Sequence, residues 1–121
     1  MIQFRVIIAG SRSCPQYNEE LFEKISELTG HMSPDDMEIV SGTAFGADRL
    51  GENYAQKYGI QVTLFAPDWY KYKKAAGPIR NKQMAQYSTH LIALWDGKSR
   101  GTSNMIELAK QHGLQTAIIE I

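Results

Sequence analysis

Phe4-Arg5-Val6-Ile7-Ile8-Ala9 is a short, nearly continuous apolar run that stops at Gly10. With so little polar alternation it reads as a strand buried on both faces, the pattern of a parallel sheet covered by helices. The segments that follow alternate in the same sense. Asn18 stands as an N-cap ahead of Leu21, Phe22, Ile25 and Leu28 at helical spacing, with Glu19, Glu20 and Glu23 near the start and Gly30 beyond. Residues 39–41 read as a second strand, and Ala47, Leu50, Tyr54, Ala55 and Tyr58 mark a helix closed by Gly59. Residues 61–65 form a third strand. Gly77-Pro78 then opens a helix continued by Ile79, Met84 and Tyr87. Residues 90–95 (HLIALW) are a fourth strand. Met105, Ile106, Leu108 and Ala109 make a helical face ending near Gly113, and residues 115–121 supply a last strand.

Strands separated by single helices pair in parallel through right-handed crossovers. The expected fold is therefore α/β: three layers, with a mainly parallel sheet of about five strands flanked by helices. No linker, repeat or low-complexity segment interrupts the chain, so residues 1–121 are expected to form one domain. In such folds ligands bind outside the carboxyl ends of the strands, near the point where strand order reverses. The segments after the first four strands are thus where chemistry is expected.

Composition narrows the function classes. Lys plus Arg number 13 and Asp plus Glu number 13, giving a formal net charge of zero, and 43% of residues are hydrophobic. These values argue against disordered, collagen-like and coiled-coil chains, and against a general polyanion binder. Cys14 is the only cysteine, which excludes an intramolecular disulfide and a Cys-based zinc cluster and fits a reducing compartment. No apolar run is long enough to span a bilayer, and no basic-then-apolar segment follows Met1, so a cytoplasmic protein without a membrane partner is expected. The zero is an average of two opposed parts. Residues 1–56 hold four basic and nine acidic side chains, whereas residues 57–121 hold nine basic and four acidic ones. Between Asp68 and Asp96 there are five cations, Lys71, Lys73, Lys74, Arg80 and Lys82, and no acid. A local cationic field of this kind draws anions even on a neutral protein.

After the first strand, Gly10-Ser11-Arg12-Ser13 reads either as a polar turn or as a phosphate site of amides, hydroxyls and one guanidinium. After the second, Ser41-Gly42-Thr43-Ala44-Phe45-Gly46-Ala47-Asp48 leads two glycines into a helix start, where amides face an anion. It lacks the Gly-Lys-Ser/Thr of a P-loop and the position and spacing of a dinucleotide fingerprint. Asp48 reads equally as a simple helix-start acid or as an acceptor for ribose hydroxyls. After the third strand, Trp69 and Tyr70 interleave with Lys71, Lys73 and Lys74, and Arg80 and Asn81 sit one helical turn in. The lysines read as a solvated loop; Trp69, like Phe45, is a candidate to cover a base. After the fourth, Asp96-Gly97-Lys98-Ser99-Arg100-Gly101-Thr102 combines glycines, cations and a helix N-terminus, an arrangement suited to phosphate. His31, His90 and His112 share no ligand spacing, so no metal site is expected. No Ser, His and carboxylate are placed as in a nucleophile elbow.

Together these blocks resemble the SLOG superfamily, the Rossmann-like group that includes the Smf/DprA proteins and the LONELY GUY phosphoribohydrolases, and within it the small stand-alone YspA-like, YpsA-related branch. The resemblance rests on residues 5–12 (RVIIAGSR), Ser41-Gly42 with Gly46-Ala47-Asp48-Arg49-Leu50, Asp68-Trp69 with residues 74–81 (KAAGPIRN), and residues 95–102 (WDGKSRGT) with Met105-Ile106. It implies a nucleotide or nucleotide-derived ligand, phosphorylated and NAD- or ADP-ribose-like in type, with no further cofactor required. The ligand would be held by Gly10, Ser11, Arg12, Gly42, Thr43, Gly46, Asp48, Trp69, Arg80, Asn81, Asp96, Gly97, Lys98, Arg100, Gly101 and Thr102. The hydrolases of the group carry P-G-G-x-G-T-x-x-E and R-K-x-x-M blocks. Here Gly101-Thr102 and Arg80 with Met84 match, but Met105 stands at the glutamate and Asn81 at the lysine. The resemblance therefore favours a sensor or capture protein over a nucleotide N-glycosidase or phosphoribohydrolase of the LONELY GUY type, which would have to use Asp48 or Asp96 in place of the missing glutamate; no catalytic residue is assigned. Single-stranded nucleic acid is a lesser alternative, since the basic stretch is short. The resemblance is also compatible with a homo-oligomer assembled through helices.

Overall fold

The computed structural model describes residues 1–121. Five strands, β1 (Phe4–Gly10), β2 (Met37–Ser41), β3 (Gln61–Leu64), β4 (His90–Trp95) and β5 (Gln115–Glu120), form one sheet in the order β3-β2-β1-β4-β5. Every neighbouring pair is parallel. The chain steps outward from β1 to β3 and then crosses to β4 on the far side of β1. Strand order therefore reverses between β1 and β4, and their carboxyl ends open a crevice there.

The helices α1 (Glu19–Leu28) and α2 (Ala47–Tyr58) cover one face. There Val6 and Ile8 of β1 pack with Phe22, Ile25 and Leu50. On the other face lie α4 (Ala76–Tyr87) and α5 (Arg100–Gln111), and Ile7 and Ala9 pack with Met84, Met105 and Ala109. Alternate residues of β1 thus enter separate cores, which is why its sequence lacks a polar face. Each fully buried Val, Leu, Ile, Phe or Met side chain among these contributes about 1.5–3 kcal/mol relative to exposure.

Several boundaries differ from the sequence expectation. β2 begins at Met37 rather than Ile39, because Glu38 is only 3% exposed and its carboxylate accepts hydrogen bonds from Thr63 Oγ1 at 3.0 Å and from the Tyr87 hydroxyl. A satisfied acid can continue a strand that polarity alone would end. β3 ends at Leu64, one residue before Phe65, and β5 ends at Glu120, one before Ile121. The stretch after Asp68, expected as loop, contains a one-turn helix α3 (Trp69–Tyr72), capped where the Asp68 side chain accepts from the Lys71 amide at 3.0 Å, and a 3₁₀ turn over Lys73–Ala75. α4 starts at Ala76, so Pro78 lies in its first turn, where a missing amide hydrogen costs nothing. α5 starts at Arg100, five residues before the apolar face at Met105, because its first turn serves the crevice and not the core. No helix is long and apolar enough to cross a membrane.

Candidate ligand-binding cleft

The crevice at the strand ends is a polar hollow of about 450 Å³. Of the residues expected to bind a ligand, Gly10, Ser11, Arg12, Asp48, Arg80, Asn81, Asp96, Gly101 and Thr102 line it. A second hollow of about 410 Å³ adjoins it, lined among others by Gly42, Thr43, Phe45, Pro67 and Trp69. Arg12, Ala44 and Arg80 line both, so the two halves meet along these three residues.

The polar half is built by tying the β1 loop to its neighbours. The Ser11 amide donates to the Leu94 carbonyl at 2.9 Å, and the Asp96 amide donates to Ser11 Oγ at 3.1 Å. The Ser11 carbonyl accepts from Ala47 at 3.3 Å, which seats the start of α2 against this loop. That approach requires Gly46: its φ is +78°, and an added Cβ would sit 2.4 Å from the Ser11 oxygen and 2.7 Å from Arg12 backbone atoms. Across the crevice, Asp96 Oδ1 accepts from the Lys98 and Ser99 amides, both at 2.9 Å. These donors, Ser99 foremost, hold its carboxyl below the usual range. The turn they make presents the first turn of α5, where Thr102 Oγ1 donates to Ser99 Oγ at 3.1 Å. The amides of Gly101 and Thr102 have no carbonyl four residues back inside the helix, so they stay available to an acceptor.

Between the halves lies a charged pair of opposite sign. Arg80 donates through Nη1 to the Gly42 carbonyl and through Nε to Asn81 Oδ1 at 2.9 Å. Asn81 in turn donates to Asn104 Oδ1 at 3.0 Å and to the Gly101 carbonyl at 3.4 Å, linking α4 to α5. Asp48 is 5% exposed; its Oδ2 accepts from the Ala44 amide at 3.0 Å. A Cβ on Gly42 would lie 2.9 Å from both Arg80 Nη1 and Asp48 Oδ2, so only glycine lets both side chains close over this point. No ion pair forms between them. Burial pushes the Asp48 carboxyl up to about 6, against the Ala44 hydrogen bond and the Arg80 charge, and burial also lowers the Arg80 guanidinium.

The second half is aromatic and open. Phe45 and Trp69 are 69% and 52% exposed, large apolar surfaces left at the rim of a hollow. Thr43 holds φ at +65°, a strained conformation for a β-branched residue. Its amide donates to Ser41 Oγ at 3.1 Å, and Ser41 in turn donates to Glu52 Oε2 at 2.6 Å, which keeps the loop in place.

Not every expected residue reaches the cleft. Gly97, Lys98 and Arg100 line neither hollow, because the turn around Asp96 leaves them exposed outside it. Gly46 acts from beneath, by spacing. Ser11, Asn81 and Asp96 line the cleft with polar groups already engaged by the protein, so they shape it as much as they face it. Conversely Ala44, Ser99 and Met105 line the polar half without having been singled out as binding residues, and Ser13, read only as part of the turn after β1, lines it as well. Ser99 had a signal, its place immediately before the helix start. Met105, 1% exposed, is an apolar floor at the position where the resembling hydrolases carry glutamate.

A model of the YAcAr family, described as YspA, cpYpsA-related SLOG, matches residues 4–72. The chain belongs to this SLOG family. The match runs from β1 through α3, and so includes the Gly10 loop, the Gly42 to Asp48 segment and Trp69. The chain is also similar to the Gene 61 protein of Mycobacterium phage D29, 32% identical over 116 residues and covering 91% of each chain. Among solved structures, DNA processing protein A (DprA) from Streptococcus pneumoniae superposes with a TM-score of 0.71 at 18% identity. That alignment covers 97% of this chain and 50% of the DprA chain, so the SLOG fold is shared while this chain spans half of that one. Arg80, Asn81 and the start of α5 lie beyond the family match, and their place in the cleft is a matter of geometry.

Proposed function

We propose that this SLOG protein binds a nucleotide or nucleotide-derived ligand in the double cleft, as a sensor or capture protein. The observation that carries the reading is the division of the cleft: a donor-rich half and an aromatic half meet at Arg12 and Arg80. A phosphorylated nucleoside has the same division. Its phosphate suits the helix amides of Gly101 and Thr102 with the two guanidiniums, and its base suits the faces of Phe45 and Trp69. Met105 removes the glutamate of the hydrolase block from the floor, so glycosidic hydrolysis would fall to Asp48 or Asp96, away from the position the hydrolases use, and this supports binding over catalysis. The exposed Lys71, Lys73 and Lys74 line neither half, which favours a small molecule over a polynucleotide.

Thermal denaturation with AMP, GMP, NAD, ADP-ribose and a short DNA oligonucleotide tests this reading. A ligand at 100 times its dissociation constant adds about 2.7 kcal/mol of stability, a shift of several degrees for a domain of this size. Stabilisation by a mononucleotide or dinucleotide supports the proposal. Stabilisation by the oligonucleotide alone supports the nucleic-acid reading, and release of free base from a monophosphate supports the hydrolase.

A further inference from the structure

Asp48 carries more than its place at the start of α2 requires. One carboxylate oxygen, Oδ2, already takes the Ala44 amide and secures the loop. The other, Oδ1, accepts no hydrogen bond from the protein, although the residue is 5% exposed and lines the polar half of the cleft. Oδ1 is not fully enclosed: the enclosed side-chain polar atoms without a partner are Arg5 Nε and Ser88 Oγ, so water reaches Oδ1 and a ligand donor can take its place.

The surroundings restrict what that oxygen takes. A phosphate is excluded by charge, since a carboxylate is an acceptor only. A cationic donor is disfavoured, since Arg12 and Arg80 line the same hollow. A neutral donor is compatible with both, and on a molecule that also brings an anion to Arg12 and Arg80 that donor is a sugar hydroxyl. Asn81 does not compete for the role, because its amide donates to Asn104 and Gly101 and its oxygen accepts from Arg80.

We infer that Asp48 selects ribonucleotides over deoxyribonucleotides by accepting a hydrogen bond from a ribose hydroxyl through Oδ1. The inference rests on the nucleotide reading above and narrows its ligand class to nucleotides with free ribose hydroxyls. A hydrogen bond to a charged group contributes about 1.5–3 kcal/mol, so a missing hydroxyl lowers affinity by about tenfold or more.

The test is calorimetric titration of the whole chain with AMP, 2′-deoxy-AMP and 3′-deoxy-AMP, in the wild type and in Asp48→Asn, which keeps an oxygen for the Ala44 amide. The expected result is at least a tenfold loss for one deoxy analogue in the wild type, narrowing to threefold or less in Asp48→Asn. Both analogues binding the wild type within twofold of AMP overturns the role of Asp48 and leaves the nucleotide reading standing. A preference that persists at full size in Asp48→Asn overturns it as well. Failure of all three compounds, and of GMP, NAD and ADP-ribose, to bind the wild type overturns both readings together.

Discussion

Arg80 on α4 donates to the carbonyl oxygen of Gly42, 38 residues earlier in the chain, and so joins the end of β2 to the helix that crosses back over the sheet. The same side chain lines both halves of the cleft. Arg80→Ala leaves the Gly42 carbonyl and Asn81 Oδ1 without a donor, and is expected to lower stability by about 1–2 kcal/mol. It is also expected to lower nucleotide affinity at least tenfold. Arg80→Lys restores the charge but not the planar fork, so it recovers only part of the affinity. Denaturant titration and calorimetry of the two variants measure the two effects separately.

Gly46→Ala is expected to be far more damaging than an exposed loop substitution. The added methyl meets the Ser11 oxygen at 2.4 Å, and φ at +78° adds about 1–2 kcal/mol of strain for an L-residue. A total loss of about 2–4 kcal/mol is expected from chemical denaturation, with the β1 loop displaced from α2.

Asp48 makes stability fall with rising pH. Its folded carboxyl titrates near 6 against an ordinary value of 3.8, so between about pH 4 and pH 6 the folded state holds a proton that the unfolded state has released. The stabilisation linked to this proton is complete below about pH 4 and is lost as pH rises through 6, on the order of 2–3 kcal/mol. Asp48→Asn removes that slope. Denaturation midpoints measured from pH 4 to 8 should show the variant above the wild type at pH 7 and the difference vanishing toward pH 4.

The fold was legible in the sequence because the runs at Phe4 and His90 are apolar without alternation and the helices between strands carry clear apolar faces. The edges were less so. Glu38 hides the start of β2, since its partners Thr63 and Tyr87 come from distant segments. The cleft was legible at Gly10, Gly42 and Thr102, where strand ends and glycines announce themselves. It was not legible at Lys98 and Arg100: a cation beside a glycine reads as a phosphate ligand, and only the turn made by the Asp96 carboxylate shows that both lie outside.

The contrast between rim and exterior is itself testable. Phe45→Ala and Trp69→Ala remove exposed stacking surfaces, so each should weaken nucleotide binding by about 1–3 kcal/mol with little change in stability. Lys98→Ala and Arg100→Ala should change affinity by no more than about twofold, the residual being long-range attraction that added salt removes. Calorimetric titrations of the four variants at low and moderate salt separate the two groups.

A nucleotide-type ligand in the double cleft at the strand ends would touch the loops after β1, β2 and β4 and α4 at Arg80 at once. Titrating the ¹⁵N-labelled protein with ADP-ribose and AMP, and following every backbone amide, tests this occupancy most directly. Saturable shifts are expected at Arg12 and Ser13, at Gly42 to Phe45, around Arg80 and at Gly101 and Thr102, with α1 unmoved. Shifts clustered on α1 or along Lys71 to Lys74, or no saturable shift with either compound, would contradict it.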